Sequence, residues 1–147
     1  MGNRCLLFAG IGWYTRLEFP YLNNIMEQGE YVHIEKAGLK IYPEYGTYSD
    51  FNALPDSIFL YIADENNVVT DVVKDYLGKQ VQGGKLVKDD LFLGNTYYYF
   101  DVTQFMKEEL GASGKYKHNL QLVFNSDDYT KTLKNLTFSA PNGQNPI

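Results

Sequence analysis

The chain reads as an antiparallel β-sandwich of jelly-roll type, a single domain over 1–147, with two short helices in its connections. Three observations carry that reading. Apolar or alternating runs of strand length recur between Gly-, Pro- and Asn-rich breaks. Tyr and Phe, 13 and 9 of the 147 residues, dominate those runs and favour half-buried pleated surfaces. Only two segments combine helical spacing with end signals.

The elements follow in order. RCLLFA (4–9) is a short apolar strand stopped by GIG. WYTRLEF (13–19) alternates, with Trp13, Thr15, Leu17 and Phe19 on the face expected inside. Pro20 opens the first helix, carried by Leu22, Ile25 and Met26 and ended by Gly29. EYVHIEKAGLKIYP (30–43) is the longest strand candidate. Leu39 and Ile41 share a face, and Gly38 marks a bulge or a close backbone approach.

YPEYGTYSDFNALPD (42–56) is too rich in turn residues for regular structure. SIFLYIAD (57–64) is an apolar, central strand. Val69, Val72, Val73 and Tyr76 leave 68–77 open between strand and helix. Gly83-Gly84 reads as a hairpin turn. YYYFD precedes the second helix, in which Phe105, Met106 and Leu110 share a face before Gly111. NLQLVFN (119–125) turns Leu120, Leu122 and Phe124 inward, SDD is a tight turn, and 129–140 is the returning strand.

Composition narrows the function. Net charge is -5 and the pI about 4.9, which argues against nucleic acid as partner. Cys5 is the single cysteine, so an internal disulfide is excluded. The first ten residues lack the apolar run of a signal peptide, and no run reaches membrane-spanning length. No P-loop, GxGxxG, GxSxG or HExxH is present, and no cofactor is expected. His33 and His118, the only histidines, have no neighbour at metal-ligand spacing.

Two chemistries need weighing. Glycoside hydrolysis uses two acids roughly 5–10 Å apart. Glu18, Glu35, Asp56, Asp64, Asp89, Asp90 and Asp101 are candidates, yet among 18 acids some such pair arises without function. ADENN (63–67) and NSDD (125–128) offer oxygens to calcium without EF-hand spacing, and Asx turns account for both.

Aromatic stacking is the better lead. Tyr42, Tyr45, Tyr48 and Phe51 recur every three residues in sequence broken by Pro and Gly. A helix is disfavoured there, so some rings should face solvent, ready to stack on sugars or contact a protein. The alternative is a lid folded over one end of the sandwich. In NTYYYFDVTQFM, period two sends Tyr98, Phe100 and Val102 inward and leaves Tyr97 and Tyr99 outside as contact residues. Asp101 reads as a helix cap, with Gln104 able to complete a capping box.

Several segments together resemble a known family. WYTRLEFPYLNNIMEQGEYVHIEKAGLKIYP resembles a strand ending at Phe-Pro, a helix, and an I-x-K-A-x-L strand. LPDSIFLYIAD follows as the next core strand, and YYYFDVTQFM resembles a Y-x-F-D-V-T-x-F strand-to-helix junction. With NLQLVFN and NGQNPI, the order is similar to the C-terminal region of Bacteroidetes cell-envelope lipoproteins of unknown function, over roughly residues 10 to 147. The resemblance implies a jelly-roll-like sandwich, placement at the outer-membrane surface or in the periplasm, and no known enzymatic activity. It implies kinship with modules of polysaccharide handling and adhesion.

Two departures stand out. Cys5 follows MGNR and is no lipobox, so either the protein stays in the cytoplasm or, as the resemblance implies, the sequence is the C-terminal part of a longer exported protein. In the family an apolar strand follows N-P-I, whereas here Ile147 ends the sequence. Either that strand lies beyond this sequence, or the domain lacks an edge strand and accepts one from a partner at an open sheet edge. The expected function is therefore a non-catalytic envelope module binding glycan or an envelope protein. The alternatives are a purely structural domain and a carboxylate-based glycosidase.

Overall fold

The computed structural model describes residues 4–10, 12–19, 22, 24, 33–49, 51–75, 77–78, 81–89, 91, 95–111, 118–125 and 135–139. Among these are nine strands and one helix: β1 (Arg4–Phe8), β2 (Thr15–Leu17), β3 (Gly38–Ile41), β4 (Ser57–Ala63), β5 (Val69–Val72), β6 (Gly83–Val87), β7 (Tyr97–Asp101), α1 (Thr103–Gly111), β8 (Asn119–Phe124) and β9 (Asn135–Ser139). The expected helix over 20–29 lies largely outside the described residues. So does the tail that would carry the open edge.

The strand pairs nest. β1 pairs with β9, β2 with β8, β3 with β7 and β4 with β6, all antiparallel. That nesting is the jelly-roll wrapping, and the chain is an antiparallel β-sandwich. One layer runs β2-β8-β4-β6. The other sets β1-β9 beside β3-β7 through a bridge between Pro43 and Phe138. Pairing of β6 with β7 joins the layers along one side and curls the larger sheet. β5 is an added strand on β4, beyond a register shift between Ile62 and Ala63.

Burial follows the alternation. Tyr98 and Phe100 on β7, Ile58 and Leu60 on β4, and Leu120 and Leu122 on β8 are fully buried. Leu7, Leu136 and Phe138 complete the interior from the β1-β9 pair. α1 closes one end: Phe105 and Met106 are buried, and the Phe105 ring lies 6.2 Å from that of Phe19.

Several expectations need correction. The strand expected over 13–19 is confined to Thr15–Leu17, and Trp13 is 54% exposed rather than inside. Trp13 closes the turn after β1 through an isolated antiparallel bridge to Phe8, with Gly12 at φ 71°, and lies outside the Thr15–Leu17 strand whose alternation was expected to bury it. The long candidate over 30–43 contributes only Gly38–Ile41 to a strand, and 30–32 lie outside the described residues. His33 precedes that strand and is exposed.

Gly83 and Gly84 do not turn the chain; both lie within β6. A Cβ at Gly84 would stand 2.1 Å from Cζ of Phe100, so the missing side chain makes room for a core ring. β9 does not return along β8. It crosses to the other layer and pairs with β1. Segment 68–77, left open in sequence, supplies strand β5.

The helix start is tied by side chains. The Asp101 carboxylate accepts from the Thr103 backbone N–H at 3.0 Å and from its hydroxyl at 2.5 Å. Thr103 Oγ1 in turn accepts the Ala37 N–H at 2.9 Å. No capping box forms, because Gln104 donates to Glu108 one turn onward at 2.7 Å. Gln82 occupies the backbone of Asp101 instead, accepting its N–H and donating to its carbonyl. Asp101→Ala should therefore cost about 0.5–2 kcal/mol of stability, read from the urea midpoint, with ligand binding unchanged. A stability within error of the wild type would remove the capping role.

Candidate aromatic binding surface

Strand direction decides which loops meet. β1, β3, β6 and β8 run one way and their partners the other. The C-terminal ends of β1, β3, β6 and β8 therefore lie at one end, and α1 and the β4–β5 turn occupy the opposite end. Loops held on a rigid sandwich are where recognition residues are tolerated and positioned.

The loop after β3 is well tied. Glu44 N–H donates to Thr137 O at 2.8 Å, extending the bridge between Pro43 and β9. Ser49 and Asn52 exchange backbone hydrogen bonds of 3.3 and 3.1 Å, a tight turn around Phe51. Asn52 Nδ2 also reaches Thr47 O at 3.1 Å and Asn135 Oδ1 at 3.3 Å. Beneath the loop the buried Tyr98 hydroxyl donates to Pro55 O at 2.6 Å.

On this frame the predicted residues divide. Phe51 is fully exposed and Tyr45 is 73% exposed, so neither folds back as a lid. Tyr48 is half-buried. Tyr42 lies on the outer face with its ring 5.6 Å from Tyr97, tilted by 51°. Lys40 Nζ stands 4.7 Å above the Tyr97 ring, within cation–π range. Tyr99 is half-buried, and its ring lies over Gly38, where a Cβ would come within 2.9 Å of it. The close approach expected at Gly38 is thus made by the outer edge of the Tyr99 ring, Cε2, Cζ and Oη, which reaches across the glycine.

Tyr42, Tyr97 and Tyr99 form one outer-face group, and Tyr45 and Phe51 project from the adjoining loop. Sequence reasoning missed three members of this end. Trp13 and Tyr14 follow β1 and are exposed, and Leu91 after β6 is 85% exposed. The Gly-rich GIG turn before Trp13 was the available signal; Leu91 carried none.

Of the candidate acids, Glu18, Asp64, Asp89 and Asp101 are engaged in structure, whereas Glu35 and Asp56 are exposed. Glu18 pairs with Arg16 at 2.6 Å, and Glu109 contacts His118. Asp64 Oδ1 accepts the N–H groups of Asn66 and Val68, both at 2.9 Å, which is an Asx turn rather than a cation cradle. Asp89 accepts from the Leu91 N–H at 3.2 Å. Of the second calcium candidate, 126–128 lie outside the described residues, as does Asp90. Among the described residues no three His, Cys, Asp or Glu side chains gather as metal ligands.

A cavity of about 280 Å³ lies at the opposite end, between β5 and α1, lined in part by Val73, Leu77, Phe105, Asp71 and Glu108. The Lys74 ammonium, 2.9 Å away, and the Val72 N–H hold the Asp71 carboxyl below the usual carboxylate range. It therefore stays ionised and is a poor proton donor. No described helix is long and apolar enough to cross a membrane. Comparison with protein-family models, curated proteins and solved structures finds no match.

Proposed function

We propose that this domain is a non-catalytic module of the cell envelope, at the outer-membrane surface or in the periplasm, that binds glycan through its aromatic end. The observation that carries the reading is the exposure of Phe51, Tyr45 and Trp13 on loops that share one end. Folding leaves these large apolar rings in water at a cost, and a ligand stacked on them recovers it. Sugar rings offer flat C–H faces to aromatic side chains and hydroxyls to the surrounding polar rim. The order of motifs resembling envelope lipoproteins supports the location.

Glycan-array binding of the wild type against Tyr45→Ala, Phe51→Ala and Trp13→Ala tests this. Each loss should weaken binding by about two- to tenfold, the worth of one aromatic contact. Stability should hold within about 0.5 kcal/mol, since the side chains are exposed. Binding unaffected by all three would remove this end as the site. A protein partner retained on the same surface with an empty array would replace the glycan.

A further inference from the structure

The geometry points to an acidic polysaccharide as the ligand, specifically a polyuronate, gripped on the outer face with Tyr99 as its stacking floor. The inference rests on the glycan reading above and extends it from the loop rings to the adjoining outer face of the sheet. In register, Lys40 of β3 lies opposite Tyr99 of β7, and Lys85 of β6 lies opposite Tyr99 on its other side. The three side chains stand on the solvent face, because their neighbours Ile41, Tyr98, Phe100 and Gly84 are the buried set. Strand spacing puts the two lysine backbones about 10 Å apart, with one ring between them.

That ring leans towards β3. Gly38 lacks the Cβ that would collide with Cε2, Cζ and Oη of Tyr99, so the ring reaches across the glycine and stays half-exposed. Lys40 is steadied over Tyr97, and no described carboxylate pairs with either lysine. Two cations beside one aromatic ring are unexpected on a chain of net charge -5. Asp101, two residues along β7 from Tyr99, has its carboxylate engaged by Thr103.

The arrangement suits a sugar whose charge lies in the plane of its ring. A uronate keeps its carboxylate at the ring edge, so its face can rest on Tyr99 while the carboxylate reaches sideways to an ammonium. A chain of uronates presents such edges in succession, which two lysines astride one ring can read together.

Affinity electrophoresis with alginate and polygalacturonate tests this, alongside carboxyl-reduced forms of both, dextran sulfate and neutral mannan. The polyuronates should bind, and their carboxyl-reduced forms should not. Lys40→Gln and Lys85→Gln should each weaken polyuronate binding about two- to fivefold, and the pair about tenfold. Lys74→Gln, at the opposite end, should change nothing. Raising salt from about 0.1 to 1 M should weaken binding, as screening shortens from about 10 to 3 Å. Neutral mannan bound regardless of the lysines would overturn the polyuronate and spare the glycan reading. Dextran sulfate bound in place of polyuronate would also overturn it. No binding to any polysaccharide would overturn both readings.

Discussion

Alanine at Gly84 should destabilise the domain by about 3 kcal/mol, by collision rather than by lost contact. The new methyl carbon would meet Phe100 at 2.1 to 2.5 Å, and Phe100 is fully buried against the opposite layer. Neither can yield easily, since β6 is fixed between β4 and β7. Phe100→Leu in the same chain should recover part of the loss, because the smaller side chain vacates the space. The adjacent Gly83 is the control. There a Cβ meets Ser57 and Phe59 at 3.5 to 3.7 Å, ordinary contact, so Gly83→Ala should be nearly neutral. Equal urea midpoints for the two variants would show that the ring is not seated over Gly84.

Tyr98→Phe should cost about 1–3 kcal/mol, although the ring is kept. The hydroxyl donates to Pro55 O at 2.6 Å within the core, and removal leaves a buried carbonyl without that donor. The loss falls on the loop that presents Tyr45 and Phe51. Limited proteolysis should therefore cut within 43–56 sooner than in the wild type, and glycan binding should weaken with no ligand contact altered. Unchanged stability and unchanged cleavage would mean that the hydroxyl does not anchor the loop.

Local patterns carried much of the fold. Period-two burial was readable in 97–101, where one face is apolar and one mixed, and the dense apolar run of 57–63 marked a core strand. α1 was readable from Phe105, Met106 and the preceding acid. β8 shows where such reading stops. Asn119 and Gln121 alternate with leucines and look solvent-facing, yet they are only 2% and 3% exposed. The β4–β5 turn folds over them: Asn119 donates to Asp64 O at 2.8 Å and Gln121 to Asn67 O at 3.2 Å. Arg16 joins from β2, donating to Asn67 Oδ1 at 2.9 Å. Those bonds join residues more than fifty positions apart, beyond the reach of periodicity.

The same limit shaped the reading of the candidate surface. The loop aromatics stood out because Pro and Gly bar regular structure around them. Lys40 and Lys85 did not, because their placement astride Tyr99 depends on which strands are neighbours. Gly83-Gly84 misled for the converse reason: a dipeptide typical of turns is also what a strand needs beneath a large ring.

The nested wrapping also sets the order in which the chain can fold. Arg4 pairs with Ser139 and Phe8 with Asn135, so the first strand finds its partner in the last. During synthesis Leu7 waits, without its opposite layer, until nearly the whole domain has emerged. Contacts of such long range slow folding towards the millisecond-to-second regime and lengthen the exposure of apolar strands. Among the described strand pairs the β4–β5 hairpin, closed across Asp64–Val68, is the most local and the readiest to seed the sheet.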